Sequence, residues 1–211
     1  MAAVGVYALM WVGYISQWKW LAAMDSTALD LAYRYGATRP GWVTAWDVFC
    51  TVLGPWAFRL VGLVVIVVAL FRRNLRLAGF VFISAGLSGP FLELAKHVAD
   101  RPRPATALVF AQSMSFPSGH ALGVIIGVLV LLTIVWPVVH APLRGWLIAL
   151  GALIVIMIGI GRVVLNVHHP SDVLAGWALG YAYYVVCTLL LPPWRPVTAA
   201  GEIREEPGIE Q

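Results

Sequence analysis

Residues 116–136 read "FPSGHALGVIIGVLVLLTIVW", a short polar start followed by an apolar run that carries no charge. Crossing the hydrocarbon core of a membrane takes about 20 apolar residues in a helix. Because lipid offers the backbone no hydrogen-bond partners, such a segment is expected to be a helix rather than an open strand. A serine, a glycine and a histidine therefore stand at the mouth of a predicted membrane span.

Five further segments have the same apolar character, so the sequence predicts six spans. They cover roughly 2–23, 49–71, 76–96, 119–139, 144–165 and 172–192. The composition agrees, with 61% hydrophobic and 11% charged residues against about 25% charged in soluble domains. We expect an all-α fold, an integral membrane bundle of six transmembrane helices. It forms one domain over 1–192, followed by a polar, disordered cytoplasmic tail over 193–211.

The connections between the spans indicate the orientation. Loops two and four share one side of the membrane with both termini, and that side is rich in arginine, which favours the cytoplasm. The arginines are Arg72, Arg73, Arg76, Arg144 and Arg195. Loops three and five then face the periplasm or exterior of a multi-pass protein of the cell membrane. A nucleic-acid partner is not expected, because no basic patch with interleaved aromatics is present.

Loops three and five and the adjoining span ends carry three cations on that outer face. They are Lys96, Arg103 and Arg162. Gathered together they repel one another unless an anion neutralises them, and a phosphate suits the forked donors of arginine. Pro117 suits the first turn of the fourth span, so Ser118 and Gly119 would present a hydroxyl and backbone N–H groups at a helix N-terminus, a ready anion site.

Two histidines and a carboxylate complete the polar set. His168 and Asp172 are four residues apart, and Pro170 would start the sixth span between them. A carboxylate that accepts from one imidazole nitrogen fixes the tautomer and frees the other nitrogen, which can act as a nucleophile. His120 would then be the second imidazole, the one that transfers protons.

Three spaced blocks carry a family resemblance. "KHVADRPRP" (96–104), "PSGH" (117–120) and "GRVVLNVHHPSD" (161–172) resemble the signature of the type 2 phosphatidic acid phosphatase family, which vanadium haloperoxidases share. The departure is Gly161, where the family usually has serine, so one hydroxyl contact is missing. The haloperoxidases are soluble, so a membrane lipid phosphatase is the expected member.

The resemblance implies a mechanism for these positions. His168 attacks phosphorus and forms a phosphohistidine, and Asp172 orients it. His120 protonates the leaving oxygen and then activates water. The phosphoryl oxygens are held by Lys96, Arg103, Ser118, Gly119 and Arg162. No metal or other cofactor is expected, and the sequence has no carboxylate cluster for magnesium.

The substrate is expected to be a lipid phosphate monoester or diphosphate that enters from the bilayer. Polyprenyl diphosphate is favoured by family analogy, with phosphatidic acid, phosphatidylglycerol phosphate and a lipid A phosphate as alternatives. A transferase that passes phosphate to a lipid or sugar acceptor, and a non-enzymatic lipid-binding or transport protein, stay open. No obligatory protein partner is evident. The sequence assigns no role to Glu93, Asp100, Arg101 and His169.

Overall fold

The computed structural model describes residues 1–194, and every regular element in that part of the chain is helical. The all-α prediction is therefore confirmed for those residues. The predicted tail, 193–211, lies outside the described residues apart from Pro193 and Trp194. The helices are α1 (Ala2–Ile15), α2 (Lys19–Gly36), α3 (Pro40–Val52), α4 (Pro55–Phe71), α5 (Leu75–Val81), α6 (Ser88–Ala99), α7 (Gly119–Val135), α8 (Ala141–Val164) and α9 (Pro170–Leu190), with a π-helical turn (Phe82–Gly86) between α5 and α6.

Four helical stretches within residues 1–194 are long and apolar enough to cross a membrane. They are Pro40–Phe71, which contains α3 and α4, Leu75–Ala99, Ala141–Val164 and Pro170–Leu190. Two shorter apolar helices, α1 and α7, accompany them. These two fall short of the ~20 residues that span the hydrocarbon core, so the crossing by all six predicted segments stays a prediction.

The predicted first span, 2–23, is wrong in its extent. Helix α1 stops at Ile15, and α2 starts at Lys19. Between them Gln17 has a φ of 51°, and its side-chain amide donates to the Tyr14 carbonyl at 2.8 Å. A left-handed residue and a side-chain donor at this point satisfy carbonyls that a helix end leaves free. The chain therefore turns where apolar composition alone suggested continuity.

The predicted second span, 49–71, is also interrupted. Helix α3 ends at Val52, and α4 begins at Pro55 after an extended Gly54 with a ψ of −178°. Proline lacks a backbone N–H and disfavours helical conformation in the residue before it, so the helix must break here. The consequence for the site is that Pro55 and the first turns of α4 can pack against α7.

Helix α7 lies at the centre of the bundle, and that position explains why its sequence is apolar all round. One side of the helix joins a core built around Phe80 and Val81. Its other side joins a second core built around Ile158 and Leu165. His120, in the first turn, is the one titratable side chain of this helix.

Glycines let α9 approach the N-terminal half of α7. A Cβ on Gly176 would lie 2.6 Å from the backbone oxygen of Ser118, and a Cβ on Gly180 would lie 2.9 Å from that of Leu122. Carbon and oxygen do not approach so closely, so any larger residue must push the two helices apart. Small residues commonly allow this kind of packing between membrane helices. The contact fixes the start of α7 against the start of α9.

Replacing Gly176 by alanine tests this close contact. The added methyl group must displace α7, and overpacking of this kind costs about 1–3 kcal/mol, so we expect the thermal unfolding midpoint in detergent to fall by about 2–12 °C. Gly145→Ala in α8 is the matched control, because nothing lies within 4 Å of a Cβ there. Equal midpoints for the two variants would contradict the contact.

Candidate active site

A cavity of about 430 Å³ lies on the side of the bundle where α6 and α8 end and α7 begins. Its walls come from α4, α6, the start of α7, the end of α8 and the loops before α7 and α9. Six of the eight predicted site residues line it: Lys96, Arg103, Gly119, His120, Arg162 and His168. Ser118 and Asp172 do not belong to the lining. Residues from three separate sequence blocks thus share one cavity.

Lys96 lies in the last turn of α6, which ends where Asp100 adopts a left-handed conformation with a φ of 44°. The lysine is buried, and its Nζ donates to the Ser113 hydroxyl at 2.5 Å. Glu93 Oε1, one turn earlier on the helix, lies 3.7 Å from the same nitrogen. The ammonium group is therefore fixed by its own helix and by the loop that follows it.

Arg103 is held between the loop after α6 and the turn before α9. Its Nε donates to the Ser113 carbonyl at 2.6 Å, and its Nη1 donates to the Val167 carbonyl at 2.8 Å. Nη1 also lies 3.2 Å from His168 Nε2. Burial lowers the pKa of Arg103, and the positive charge of Arg162 acts in the same direction. An arginine nevertheless keeps its charge in proteins, so a fixed cation stands beside His168.

His168 is almost completely buried, and burial lowers its pKa to about 4, an effect that the Asp172 carboxylate opposes. The imidazole is therefore neutral near pH 7 and carries one ring proton. Because arginine can only donate, Nε2, the nitrogen that faces Arg103, is the unprotonated one in this arrangement. The proton is then on Nδ1, which leaves a lone pair on the nitrogen nearest the fixed cation.

The Nδ1 side of His168 faces a carboxylate and a hydroxyl. Asp172 Oδ2 lies 3.6 Å from Nδ1, which is longer than a hydrogen bond. Ser115 Oγ lies 3.4 Å from Nδ1 and donates to Asp172 Oδ2 at 2.5 Å. The structure thus brings the predicted pair together and adds a serine between its members. The orienting role of Asp172 stays a prediction.

Asp172 is fully buried and sits in a network of donors. Its Oδ1 accepts from Arg101 Nη1 at 2.6 Å, and its Oδ2 accepts from the His169 backbone N–H at 2.8 Å. The other end of the guanidinium, Arg101 Nη2, donates to Asp25 Oδ2 at 2.8 Å. Asp25 also accepts from the backbone N–H of Ser171 at 3.0 Å. One buried arginine therefore bridges a carboxylate of α2 and a carboxylate of α9.

Of this network the sequence predicts Asp172 alone; it assigns no site role to Arg101, Asp25, His169 and Ser171, nor to the nearby Ser113 and Ser115. One indication was available, the repeated Arg-Pro in "RPRP" (101–104), which shows two arginines held by stiff neighbours. Spacing alone could not tell which arginine faces the cavity and which faces buried carboxylates. Asp25 lies 76 positions before Arg101, in a segment outside the three blocks, and nothing in the sequence connects the two.

The start of α7 reaches the cavity through Gly119 and His120. Ser118 is the N-cap of the helix, and its hydroxyl accepts from the Ala121 N–H at 3.5 Å. The backbone N–H of Ser118 donates to the Asp172 carbonyl at 2.9 Å. Ser118 is fully buried, so the structure shows it as a helix cap, and its predicted phosphate contact stays a prediction.

Arg162 lies in the last turn of α8 and is 6% exposed. Its buried Nε has no hydrogen-bond partner within residues 1–194. Leaving a buried charged donor unpaired is costly, so this position suits the oxygen of an anion in the cavity.

Gly161, the departure from the family signature, has a packing explanation. A Cβ at this position would lie 2.5 Å from Cys50 Sγ and 2.8 Å from Trp46 Cε3. Both neighbours belong to α3, so α3 occupies the space that a serine side chain would need. Glycine at this position therefore allows α3 to pack closely against α8.

Comparisons with known proteins agree with the motif blocks. Residues 74–196 match the pattern of the PAP2 superfamily. The chain is 32% identical over 118 residues to undecaprenyl-diphosphatase from Sulfolobus acidocaldarius, a match that covers 53% of each protein. It is 30% identical over 154 residues to phosphatidylglycerophosphatase B from Bacillus subtilis, covering 67% of this chain and 72% of that protein. The chain thus spans about half the length of the first relative.

A solved structure has the same fold. The crystal structure of a transmembrane PAP2 type phosphatidylglycerolphosphate phosphatase from Bacillus subtilis aligns with a TM-score of 0.68 at 22% identity. The alignment covers 89% of this chain and 94% of that one. The likeness supports an all-α, multi-pass transmembrane architecture. The family resemblance read from the three blocks is confirmed by these matches.

Removing the Arg101 guanidinium would leave Asp25 and Asp172 as buried carboxylates without their shared cation. Breaking a buried ion pair in this way costs about 3–5 kcal/mol, so Arg101→Ala should lower the thermal unfolding midpoint by about 6–20 °C. Arg34→Ala, at an exposed position of α2, is the control. A fall no larger than that of the control would contradict a stabilising bridge.

The packing at Gly161 predicts coupling between two helices. Gly161→Ser should lower the unfolding midpoint by a few degrees, because the new side chain meets Cys50, and Cys50→Ala should reduce that penalty by vacating the space. The four variants of this double-mutant cycle are compared by thermal unfolding in detergent. Strictly additive effects would show that Cys50 does not exclude the serine.

Proposed function

The chain belongs to the PAP2 superfamily, the membrane lipid phosphatases that its motif blocks resemble, and on that premise we propose that it hydrolyses a lipid phosphate monoester or diphosphate. One observation carries the proposal. A neutral histidine with an unprotonated Nε2, a second histidine and three motif cations line a single cavity at one end of the bundle. Such a set suits a phosphate group whose phosphorus is attacked by a histidine nitrogen and whose leaving oxygen receives a proton from a second side chain.

The first half of the reaction would use the lone pair of His168 Nε2. That nitrogen attacks phosphorus, a nitrogen–phosphorus bond forms, and the bond to the leaving oxygen breaks as His120 gives that oxygen a proton. Arg103, 3.2 Å from Nε2, is placed to hold a phosphoryl oxygen beside the attacking atom. Lys96 and Arg162 would bind further oxygens, and fixed cations of this kind stabilise the charge that develops in the transition state.

The second half returns the enzyme to its starting state. His120 takes a proton from water, the resulting oxygen attacks the phosphohistidine, and inorganic phosphate leaves as His168 recovers its lone pair. The Nδ1 proton stays in place through both steps, facing Ser115 and Asp172. Asp172 balances the positive charge that the imidazole carries while it is phosphorylated.

Polyprenyl diphosphate is the favoured substrate, and phosphatidic acid or phosphatidylglycerol phosphate are the alternatives. Two relatives bear the names undecaprenyl-diphosphatase and phosphatidylglycerophosphatase B, which agrees with either substrate class. The cavity lies between α4 and α6 on one side, so a lipid could enter sideways from the bilayer. With six spans and arginines in the short loop after α4 on the cytoplasmic side, the cavity would open on the periplasmic or outer face.

Substitutions of the two histidines test the proposed roles. In purified protein, His168→Ala should abolish phosphate release from lipid phosphates, and His120→Ala should lower kcat by about a hundredfold or more because both proton transfers lose their carrier. Activity should persist in EDTA and be inhibited by vanadate. Near-normal turnover by His168→Ala, or loss of activity in EDTA, would contradict the mechanism. Turnover that consumes lipid phosphate without releasing free phosphate would instead establish a transferase.

A further inference from the structure

Arg59 is a fourth cation in the cavity, and the mechanism above does not use it. The residue lies in the second turn of α4 and lines the cavity together with Trp56, Gly89 and Glu93. It belongs to none of the three motif blocks, and it precedes residues 74–196, which match the superfamily pattern. We propose that Arg59 binds the second phosphate of a lipid diphosphate, an inference that rests on the function proposed above.

The surroundings of Arg59 do not neutralise its charge. Among the described residues no carboxylate oxygen lies within 4.0 Å of the guanidinium, whose carbon is 5.2 Å from the centre of the Trp56 ring. A charged side chain in a membrane helix is expensive and usually marks a functional position. The stacked guanidinium leaves its planar donors available for an anion in the cavity.

Helix α6 is shaped to admit this side chain. A Cβ on Gly89 would lie 3.2 Å from Arg59 Nη2. The absence of a side chain at Gly89 therefore leaves space for the guanidinium against α6. Gly89 and Lys96 are seven residues apart, which places them on the same face of α6 at a separation of about 10 Å along its axis. The Arg59 guanidinium lies beside Gly89, and Lys96 lies further along the same face of α6. Both cations therefore line one cavity, with Glu93 between them along the helix.

The balance of charge in the cavity favours a highly charged substrate. Four of the described residues that line it are cationic, Lys96, Arg103, Arg162 and Arg59, and Glu93 supplies a carboxylate. Three of these cations, Lys96, Arg103 and Arg162, have partners in the phosphoryl group that His168 would attack, under the function proposed above. A diphosphate brings additional negative charge directly next to that group, whereas polyprenyl monophosphate and phosphatidic acid bring none. The fourth cation thus has a directly adjacent partner in the second phosphate of a diphosphate.

The reaction gives this contact a catalytic consequence. His168 Nε2 attacks the terminal phosphorus, and the bond between that phosphorus and the bridging oxygen breaks. The bridging oxygen takes the proton of His120 and leaves as part of the lipid monophosphate. Arg59 binds the oxygens of this departing phosphate, so it stabilises charge on the leaving group. In the hydrolysis of polyprenyl monophosphate or phosphatidic acid the leaving group is a neutral lipid alcohol, which offers Arg59 no comparable anion.

A comparison of two substrates with the same lipid tail tests the inference. Purified wild type, Arg59→Gln and Arg59→Lys are assayed on polyprenyl diphosphate and on polyprenyl monophosphate in one detergent. We expect Arg59→Gln to lower the ratio of kcat/KM for diphosphate to that for monophosphate by about tenfold or more, since a charge-assisted hydrogen bond is lost. Arg59→Lys should recover part of the ratio. Arg76→Gln, an exposed arginine at the start of α5, is the matched control and should leave the ratio as in wild type.

The possible contrary results distinguish a failure of the role of Arg59 from a failure of the proposed function. An equal loss on both substrates, no loss on the diphosphate, or a wild type that hydrolyses only the monophosphate would overturn the role of Arg59 while the phosphatase proposal stands. A wild type that releases phosphate from neither substrate nor from phosphatidic acid would overturn the proposed function itself, and this inference with it.

Discussion

The guanidinium of Arg101 is the contact on which the arrangement of the cavity depends. It lies 2.6 Å from Asp172 and 2.8 Å from Asp25, and its carbon is 4.5 Å from the centre of the Tyr14 ring. The bridge therefore joins α1, α2, the loop after α6 and the start of α9. Without the cation between them, two buried carboxylates would face each other with uncompensated charge, which is strongly destabilising. Because Asp172 is held there, its side chain faces His168 from a fixed position.

A second constraint, the close packing of α7 on α9, completes the geometry. Gly176 allows the carbonyl of Ser118 to approach α9, and the Ser118 N–H in turn bonds the carbonyl of Asp172. The first turns of α7 and α9 are thus joined through their backbones. This contact fixes the relative positions of His120 on α7 and Asp172 on α9. Arg103 then joins this pair of helices to the loop after α6 through its contacts with Val167 and His168. His120 and Asp172 thus lie in the first turns of two packed helices, whereas Arg103 and His168 lie in the connections that precede those helices.

The sequence was sufficient for the helical class and for most of the cavity lining, because apolar runs and short motif spacings are local features. It failed at the break after Ile15 and at the break before Pro55, where a turn conformation or a proline overrides a continuous apolar pattern. It also assigned no role to Arg101, whose partners Asp25 and Asp172 lie more than 70 positions away on either side. Contacts of that range follow from the packing of helices, which no spacing rule in a single sequence describes.

In the proposed mechanism His168, rather than water or another side chain, receives the phosphoryl group. The most direct measurement is to mix the His120→Ala protein with lipid substrate carrying a radioactive terminal phosphate, denature it with alkali after a short time, and map the labelled peptide. His120 would serve both steps, but a departing phosphate needs its proton less than water needs its base, so the second step should be slowed more and the phosphorylated form should accumulate in this variant. We expect acid-labile, alkali-stable label on His168. Label on another residue, or continued turnover with unlabelled protein, would contradict it.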